Sequence, residues 1–338
     1  MYKKTHTIAC GEYHSSVLLN DGTIKCWGGF NEQHCNHIYR DFTDVIRIYC
    51  GDTWTVALFA NGTVQYWGGL WFNSRNDNLT HVTCRNVTQI ACGSQHFVVL
   101  MLDGSIQCWG NNCSNQCDPV HLTLTDAIQV ACGHSHSVAL LSNGTIKCWG
   151  NNYVNQCDPV HLTFTDVIQI ACGYSHSVVL LSDGTVRCWG NNRENQCDPV
   201  HLTFTDGVEV VCGRRHSVVL LTNGTVQCWG NNEWNQCDPI YKTFTDAIQV
   251  ACGHSHSVAL CSNGTVQCWG NNEFNQCDSV HFTYTNIIQI ACGAYHSVAL
   301  LSNGTVRCWG NHNWNQCDII HVTYTNIRIS CDDVCQLW

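Results

Sequence analysis

The residues with the most chemistry in them are cysteines, 27 among 338 residues, and their spacing repeats. Residues 148–157 read CWGNNYVNQC, and forty residues later the chain reads CWGNNRENQC. A further cysteine precedes a glycine at positions 92, 132, 172, 212, 252 and 292, with earlier copies at Cys10 and Cys50. Each repeat therefore has a first, a second and a third cysteine, for example Cys132, Cys148 and Cys157. Thiols at fixed spacing can cross-link, hold a metal, or lie buried as small apolar groups.

The second and third cysteines flank the loop WGNNYVNQ, between what read as the third and fourth strands of a repeat. Antiparallel neighbours would bring the two sulfurs face to face. In the second repeat Tyr66 takes the second position, and the stretch NSRND has no third cysteine, while Cys50 remains. Loss as a pair is what a disulfide predicts. The expected bridges are Cys26–Cys35, Cys108–Cys117, Cys148–Cys157, Cys188–Cys197, Cys228–Cys237, Cys268–Cys277 and Cys308–Cys317. Closing a loop of about ten residues stabilises by roughly 2–3 kcal/mol in the chain-entropy model. Reduced buried thiols and metal binding are the alternatives. Zinc sites commonly use C-x2-C spacing, which the chain lacks, so no metal site is expected. The first cysteine has no partner in this scheme and reads as a small buried apolar residue.

The elements that must position these thiols are strands. Val, Ile and Thr dominate, and glycine recurs too often for helices. In residues 127–166, AIQVACG, HSVALL and TIKCWG read as three strands, with a weaker fourth around PVHLTF. Asn-Gly or Asp-Gly separates strands two and three in every repeat: Asp21, Asn61, Asp103, Asn143, Asp183, Asn223, Asn263 and Asn303 each precede glycine. That dipeptide favours a tight type I′ hairpin. Four strands in forty residues is the content of a propeller blade. The expected fold is all-β, a single β-propeller domain of eight repeats (about 5–46, 47–86, 87–126, 127–166, 167–206, 207–246, 247–286 and 287–326) with a closing or capping strand at 327–338. Seven blades plus a displaced unit is the alternative.

The combined pattern G-x-x-H-S-x-A-L, D/N-G-T-V and W-G-N-N-x-x-N-Q resembles the repeat of the regulator of chromosome condensation family, from about residue 5 to 330. The resemblance implies a β-propeller, usually of seven blades. The family usually has Leu-Gly where this chain has Cys-Asp, so the bridges depart from its pattern. It also implies two readings beyond a binding scaffold: guanine-nucleotide exchange on a small GTPase, and a structural component of a giant-virus particle or surface layer. Exchange depends on particular loops and a basic tail, of which Lys3 and Lys4 are the only trace.

Charge narrows the partners. The chain has 15 Lys and Arg against 25 Asp and Glu, a net charge of −10, so nucleic-acid binding is not expected. There is no apolar run of membrane-spanning length. The beginning MYKKTHTIACG lacks the apolar region of a signal peptide. Formed disulfides would place the chain in a virus particle or outside the cell, and reduced thiols in the cytoplasm. No phosphate loop or catalytic set stands out from the repeat, so neither catalysis nor a cofactor is expected. The recurrent His of G-x-x-H-S (such as His136 and His176) is expected to bond backbone near a strand end, and the recurrent Trp to pack between blades.

Two dipeptides vary while their neighbours hold: the pair inside G-x-x-H and the pair inside N-x-x-N. Strand direction puts both on one end of the blades. Free drift would leave small polar residues at such tips, yet they hold Tyr153, Tyr174, Arg193, Arg214, Arg215, Trp234, Phe274, Tyr295 and Trp314. Aromatic residues and Arg are enriched where proteins meet. The expected function is a non-enzymatic scaffold that binds a protein partner through these residues.

Overall fold

The computed structural model describes residues 8–29, 35, 42, 44–68, 80–84, 86–117, 124–158, 164, 166–197, 205–237, 245–278 and 285–317. Among them the secondary structure is strand in eight separate antiparallel sheets, seven of three strands and one of four. The fold class is the β-propeller, with eight blade sheets. They span 8–28, 45–83, 87–110, 127–150, 167–190, 207–230, 247–270 and 287–310, and are called blades 1 to 8. The chain divides into two compact units, one with blades 1, 2, 7 and 8 and the other with blades 3 to 6. A fourth strand is described in blade 2, where Thr80–Thr83 pairs with Thr63–Gly68. The fourth strand expected around PVHLTF in the other blades lies outside the described residues but for isolated positions such as Phe164, and the closing strand 327–338 lies outside them entirely.

Blade 4 shows how the sequence makes the sheet. Strands Ala127–Cys132, His136–Leu141 and Ile146–Gly150 meander, with Val130 opposite Ala139 and Val138 opposite Cys148. The register shifts between Ala127 and Gln129, so a bulge turns Ile128 outward, 56% exposed.

The hairpin differs from the expected type I′ turn. Gly144 alone takes positive φ, at 82°, while Asn143 does not. Gly144 N–H donates to Leu141 O (2.9 Å) and Leu141 N–H to Thr145 O (2.9 Å). This is a type I turn followed by a left-handed glycine and a bulge. The Asn side chain instead closes the turn from outside, as Asn143 Oδ1 accepts from Thr145 N–H at 2.9 Å. Asp21 and Asp183 do the same, which explains why Asp and Asn interchange at this position.

Successive blades within a unit are joined by side chains of the invariant positions. His136 Nε2 lies 3.0 Å from Ser177 Oγ of the next blade, and His176 Nε2 lies 2.9 Å from Ser217 Oγ. His14 meets Thr55 (2.9 Å) and His296 meets Ser15 (2.7 Å) in the same way. The partner is thus a hydroxyl of the neighbouring blade, where the sequence predicted a backbone group. Ser177 Oγ–H donates to Gln156 O (3.4 Å), and Trp189 Nε1–H donates to the same carbonyl at 3.0 Å. With its proton committed there, Ser177 accepts from His136 Nε2–H. Gln169 adds a two-way amide link to Val210, donating to its carbonyl and accepting from its N–H at 2.9 Å each. The expected Trp packing holds: Trp229 lies in one apolar cluster with Ala171, Val178 and Val186 of the preceding blade.

The imidazoles are sealed in. His96, His136, His176, His216 and His296 are all 0% exposed. A Cβ on Gly133 would overlap the His136 ring and meet Gly173 O at 2.6 Å, so the glycine before the turn is fixed by this packing. Burial holds the histidines neutral: it lowers His96, His136, His176 and His296 to about 3 and His216 to about 4.

Two outcomes follow. Unfolded imidazoles take up protons below about pH 6.5, whereas these do so only near 3 to 4. The histidine contribution to stability is therefore level above about pH 7 and falls from pH 6.5 towards 3, by up to about 1.4 kcal/mol per pH unit for each such histidine. Urea midpoints at pH 7.5 and 4.5 measure it, and equal midpoints would contradict the buried neutral ladder. Replacing Ser177 with Ala orphans the His136 N–H and lowers unfolding free energy by about 1–3 kcal/mol, read from the same urea curves.

Candidate functional site

Blades 3 to 8 each end in a turn and a loop held in place by recurrent residues of the blade. In blade 4 the loop after Gly150 starts with Asn151 N–H donating to Ser135 O of the G-x-x-H turn at 2.8 Å. Asn151 Oδ1 accepts from Tyr153 N–H (3.1 Å) and from Gln156 Nε2 (2.8 Å). Gln156 Oε1 accepts from Val154 N–H at 3.0 Å, and Asn152 Oδ1 from Cys157 N–H at 2.8 Å. Asn155 takes a positive φ of 62°, a region Asn tolerates. The side chains of two Asn and one Gln thus satisfy the loop backbone, and a third Asn supplies its left-handed residue. The side chains of Tyr153 and Val154 take no part, which is why this pair varies. Blade 5 repeats the arrangement around Arg193 and Glu194.

The same bond, Asn N–H to the second residue of the turn, recurs in blades 3 to 8, for instance Asn231 to Arg215 O and Asn311 to Tyr295 O, both 2.9 Å. Within a blade, both variable pairs therefore lie together, at the end away from the Asn-Gly hairpin.

The candidate residues differ in exposure. Tyr153 is 92% exposed and Trp234 40%. Arg193 and Arg215 are exposed, while Tyr174, Arg214, Phe274, Tyr295 and Trp314 are half-buried. For Tyr174 and Arg214 half-burial has a cause: the first variable residue of one blade stacks on that of the next. In the unit of blades 3 to 6, His134 N–H donates to Tyr174 O (3.3 Å) and Tyr174 N–H to Arg214 O (3.2 Å). The His134 ring stacks on Tyr174 with centroids 3.9 Å apart, and the Arg214 guanidinium sits 4.7 Å from the Tyr174 centroid. Burial, with Arg214 nearby, lowers His134 to about 4, so this stack is neutral–aromatic–cation at pH 7. Arg215 lies 3.8 Å from Glu194.

In the unit of blades 1, 2, 7 and 8, Tyr295 meets His254 and Phe274 edge-on at 5.1 and 5.7 Å, and Tyr13 meets Trp314 edge-on at 6.2 Å. Tyr13, His134 and His254 join the site although sequence reasoning had not singled them out. The signal was available: His134 and His254 occupy the same variable position as Tyr174 and Arg214, and Tyr13 the same position as Arg215 and Tyr295.

Sequence reasoning also missed a Ser–His pair in successive blades, because the two residues are a repeat apart. His136 and Ser177 have hydrogen-bond geometry suited to activating a nucleophile, but both are 0% exposed, so no substrate reaches them. Among the described residues no group of three or more His, Cys, Asp or Glu could hold a metal ion. The described part has no helix long and apolar enough to cross a membrane.

If the stack is a cohesive unit, Tyr174→Leu and Arg214→Ala are coupled. A double-mutant cycle on urea unfolding is expected to give about 0.5–1 kcal/mol of interaction; additive effects would show that the contact contributes nothing.

Comparison with known proteins agrees with this geometry. The description "Regulator of chromosome condensation (RCC1) repeat" matches residues 6–35, 87–116, 127–156, 167–196, 208–236, 247–276 and 287–317. No curated protein matches the sequence. Among solved structures, the chain is similar to yeast RCC1 (Prp20) in its complex with Kap60, at 20% identity and a TM-score of 0.57, over 86% of this chain and 79% of that one. Prp20p of Saccharomyces cerevisiae, in a study of its binding to Gsp1p and histones, matches at 19% identity and 0.50, over 66% and 72%. The ectodomain of the receptor kinase CR4 of Physcomitrella patens matches at 16% identity and 0.60, over 79% and 73%. At these identities the structures speak for the fold alone. The matched repeats cover more than half of the sequence, and the chain belongs to the regulator of chromosome condensation (RCC1) repeat family.

Proposed function

We propose that the protein is a non-enzymatic propeller scaffold that binds a protein partner through the blade ends carrying the G-x-x-H turns and N-x-x-N loops. One observation carries this reading: in blades 3 to 7 the Asn and Gln of N-N-x-x-N-Q satisfy the loop backbone, which frees two side chains per loop, and those positions hold exposed Tyr153, Arg193 and Trp234. An aromatic held on a rigid loop loses little conformational entropy on contact, the property of a good interface anchor. Tyr174 and Arg214 support the same reading as a pre-ordered patch beside exposed Arg215. The solved relative Prp20 binds proteins, Kap60 in one structure.

The test is a photo-crosslinking residue placed at 153, 193 or 234, with controls at the opposite hairpins, at Asn143 and Asp183. Adducts are expected from the first set alone. With the captured partner in hand, Tyr153→Ser combined with Trp234→Ser is expected to weaken binding about tenfold or more. Equal capture from both ends, or unchanged affinity of the double variant, would overturn the assignment.

A further inference from the structure

The cysteines are the feature that partner binding leaves unused. In blade 5 the sulfur atoms of Cys188 and Cys197 lie 2.7 Å apart, and in blade 8 those of Cys308 and Cys317 lie 2.9 Å apart. Non-bonded carbons rest at about 3.5–4.0 Å, so these sulfurs are inside ordinary contact. In blades 4 and 7 the loop has the backbone-capping bonds of the blade 5 loop, but the third thiol has another partner: Cys157 S–H donates to Asn151 O at 3.2 Å and Cys277 S–H to Asn271 O at 3.3 Å. The third thiol thus meets two kinds of partner, the second cysteine's sulfur in blades 5 and 8 and an Asn carbonyl in blades 4 and 7.

The loop explains how. Asn192 Oδ1 fixes Cys197 N–H at 2.8 Å, and Asn152 and Asn272 hold Cys157 and Cys277 at the same distance. Only χ1 of the third cysteine remains to be chosen. The first cysteine stays outside the pair. Cys212 is buried in the apolar cluster that Cys188 packs against, and Cys172 in the one that Cys148 packs against. Each first cysteine comes from the following blade.

We propose that the second and third cysteines of a blade form a dithiol–disulfide couple that staples the N-x-x-N loop to the third strand, with Cys188–Cys197 and Cys308–Cys317 the pairs poised to close. The oxidant is a small-molecule or protein disulfide. One cysteine, as thiolate, attacks it, forms a mixed disulfide and expels one thiolate; the other, deprotonated, attacks the mixed disulfide and expels the second. The protein loses two electrons and two protons, and the external disulfide becomes two thiols. The residues the bridge encloses include the variable pair, so oxidation rigidifies the loop without consuming any variable side chain. The staple does not depend on the partner-binding reading.

The experiment uses the full chain in glutathione buffers of graded oxidised-to-reduced ratio, acid-quenched, alkylated after denaturation and mapped by mass spectrometry without reduction. The expected result is Cys188–Cys197 and Cys308–Cys317 peptides linked at an oxidising ratio, each bridge lowering the mass by two hydrogens, with Cys132, Cys172 and Cys212 alkylated. Oxidised wild type is expected to melt at a higher temperature than reduced, with the difference smaller in Cys188→Ser/Cys197→Ser. Thiols that stay alkylatable at every ratio would overturn the proposal, as would bridges that run from the first cysteines instead. If the variant fails to fold, the peptide map of the wild type still decides.

Discussion

A neutral imidazole reaching from one blade to a hydroxyl on the next is the contact on which the architecture within each unit turns. It is placed by sterics, because the glycine before the turn leaves room for the ring and for nothing larger. Its hydrogen bond is oriented by a chain of donors, from imidazole to serine to the Gln carbonyl, which also accepts the indole of the Trp-Gly pair. Removing any member leaves a buried polar group without its partner, and such groups are strongly destabilising in a dry interior. Gly, His, Ser, Trp and Gln recur together because they are parts of one bond network.

The same economy shapes the loops. A loop whose backbone groups are bonded by its own Asn and Gln needs nothing from its two outer side chains. Constraint and freedom are thus allotted residue by residue within a single ten-residue segment. Where the first variable residues of successive blades touch, as at His134, Tyr174 and Arg214, freedom is partial: the side chains differ in kind but must still stack.

Much of this was legible in the sequence. The forty-residue period, the glycines and the β-branched runs lead to blades, and strand direction places both variable dipeptides on one end. Three features were not legible, each for a physical reason. The hairpin type escaped because Asn-Gly suits two turns, and the deciding bond runs from Thr145 to the Asn143 side chain. The histidine partner escaped because every repeat offers an equivalent hydroxyl, and pattern alone does not say that His136 selects the one in the next blade. Half-burial of Tyr174 and Tyr295 escaped because exposure at a tip depends on which neighbour stacks there. The closeness of the second and third cysteines in blades 5 and 8 was readable as a spacing, but not the Asn carbonyl that the third thiol meets in blades 4 and 7.

The blade-to-blade bonds have a consequence for the history of such a chain. The bonds across these junctions are made by residue positions that the repeats share, so one repeat presents the same complementary surfaces as another. A tandem duplication or deletion of one forty-residue segment then creates junctions already chemically matched. A change of copy number keeps the bonding partners at every junction, and new tips are acquired with each copy. Selection on recognition and selection on folding act on separate letters of the same repeat.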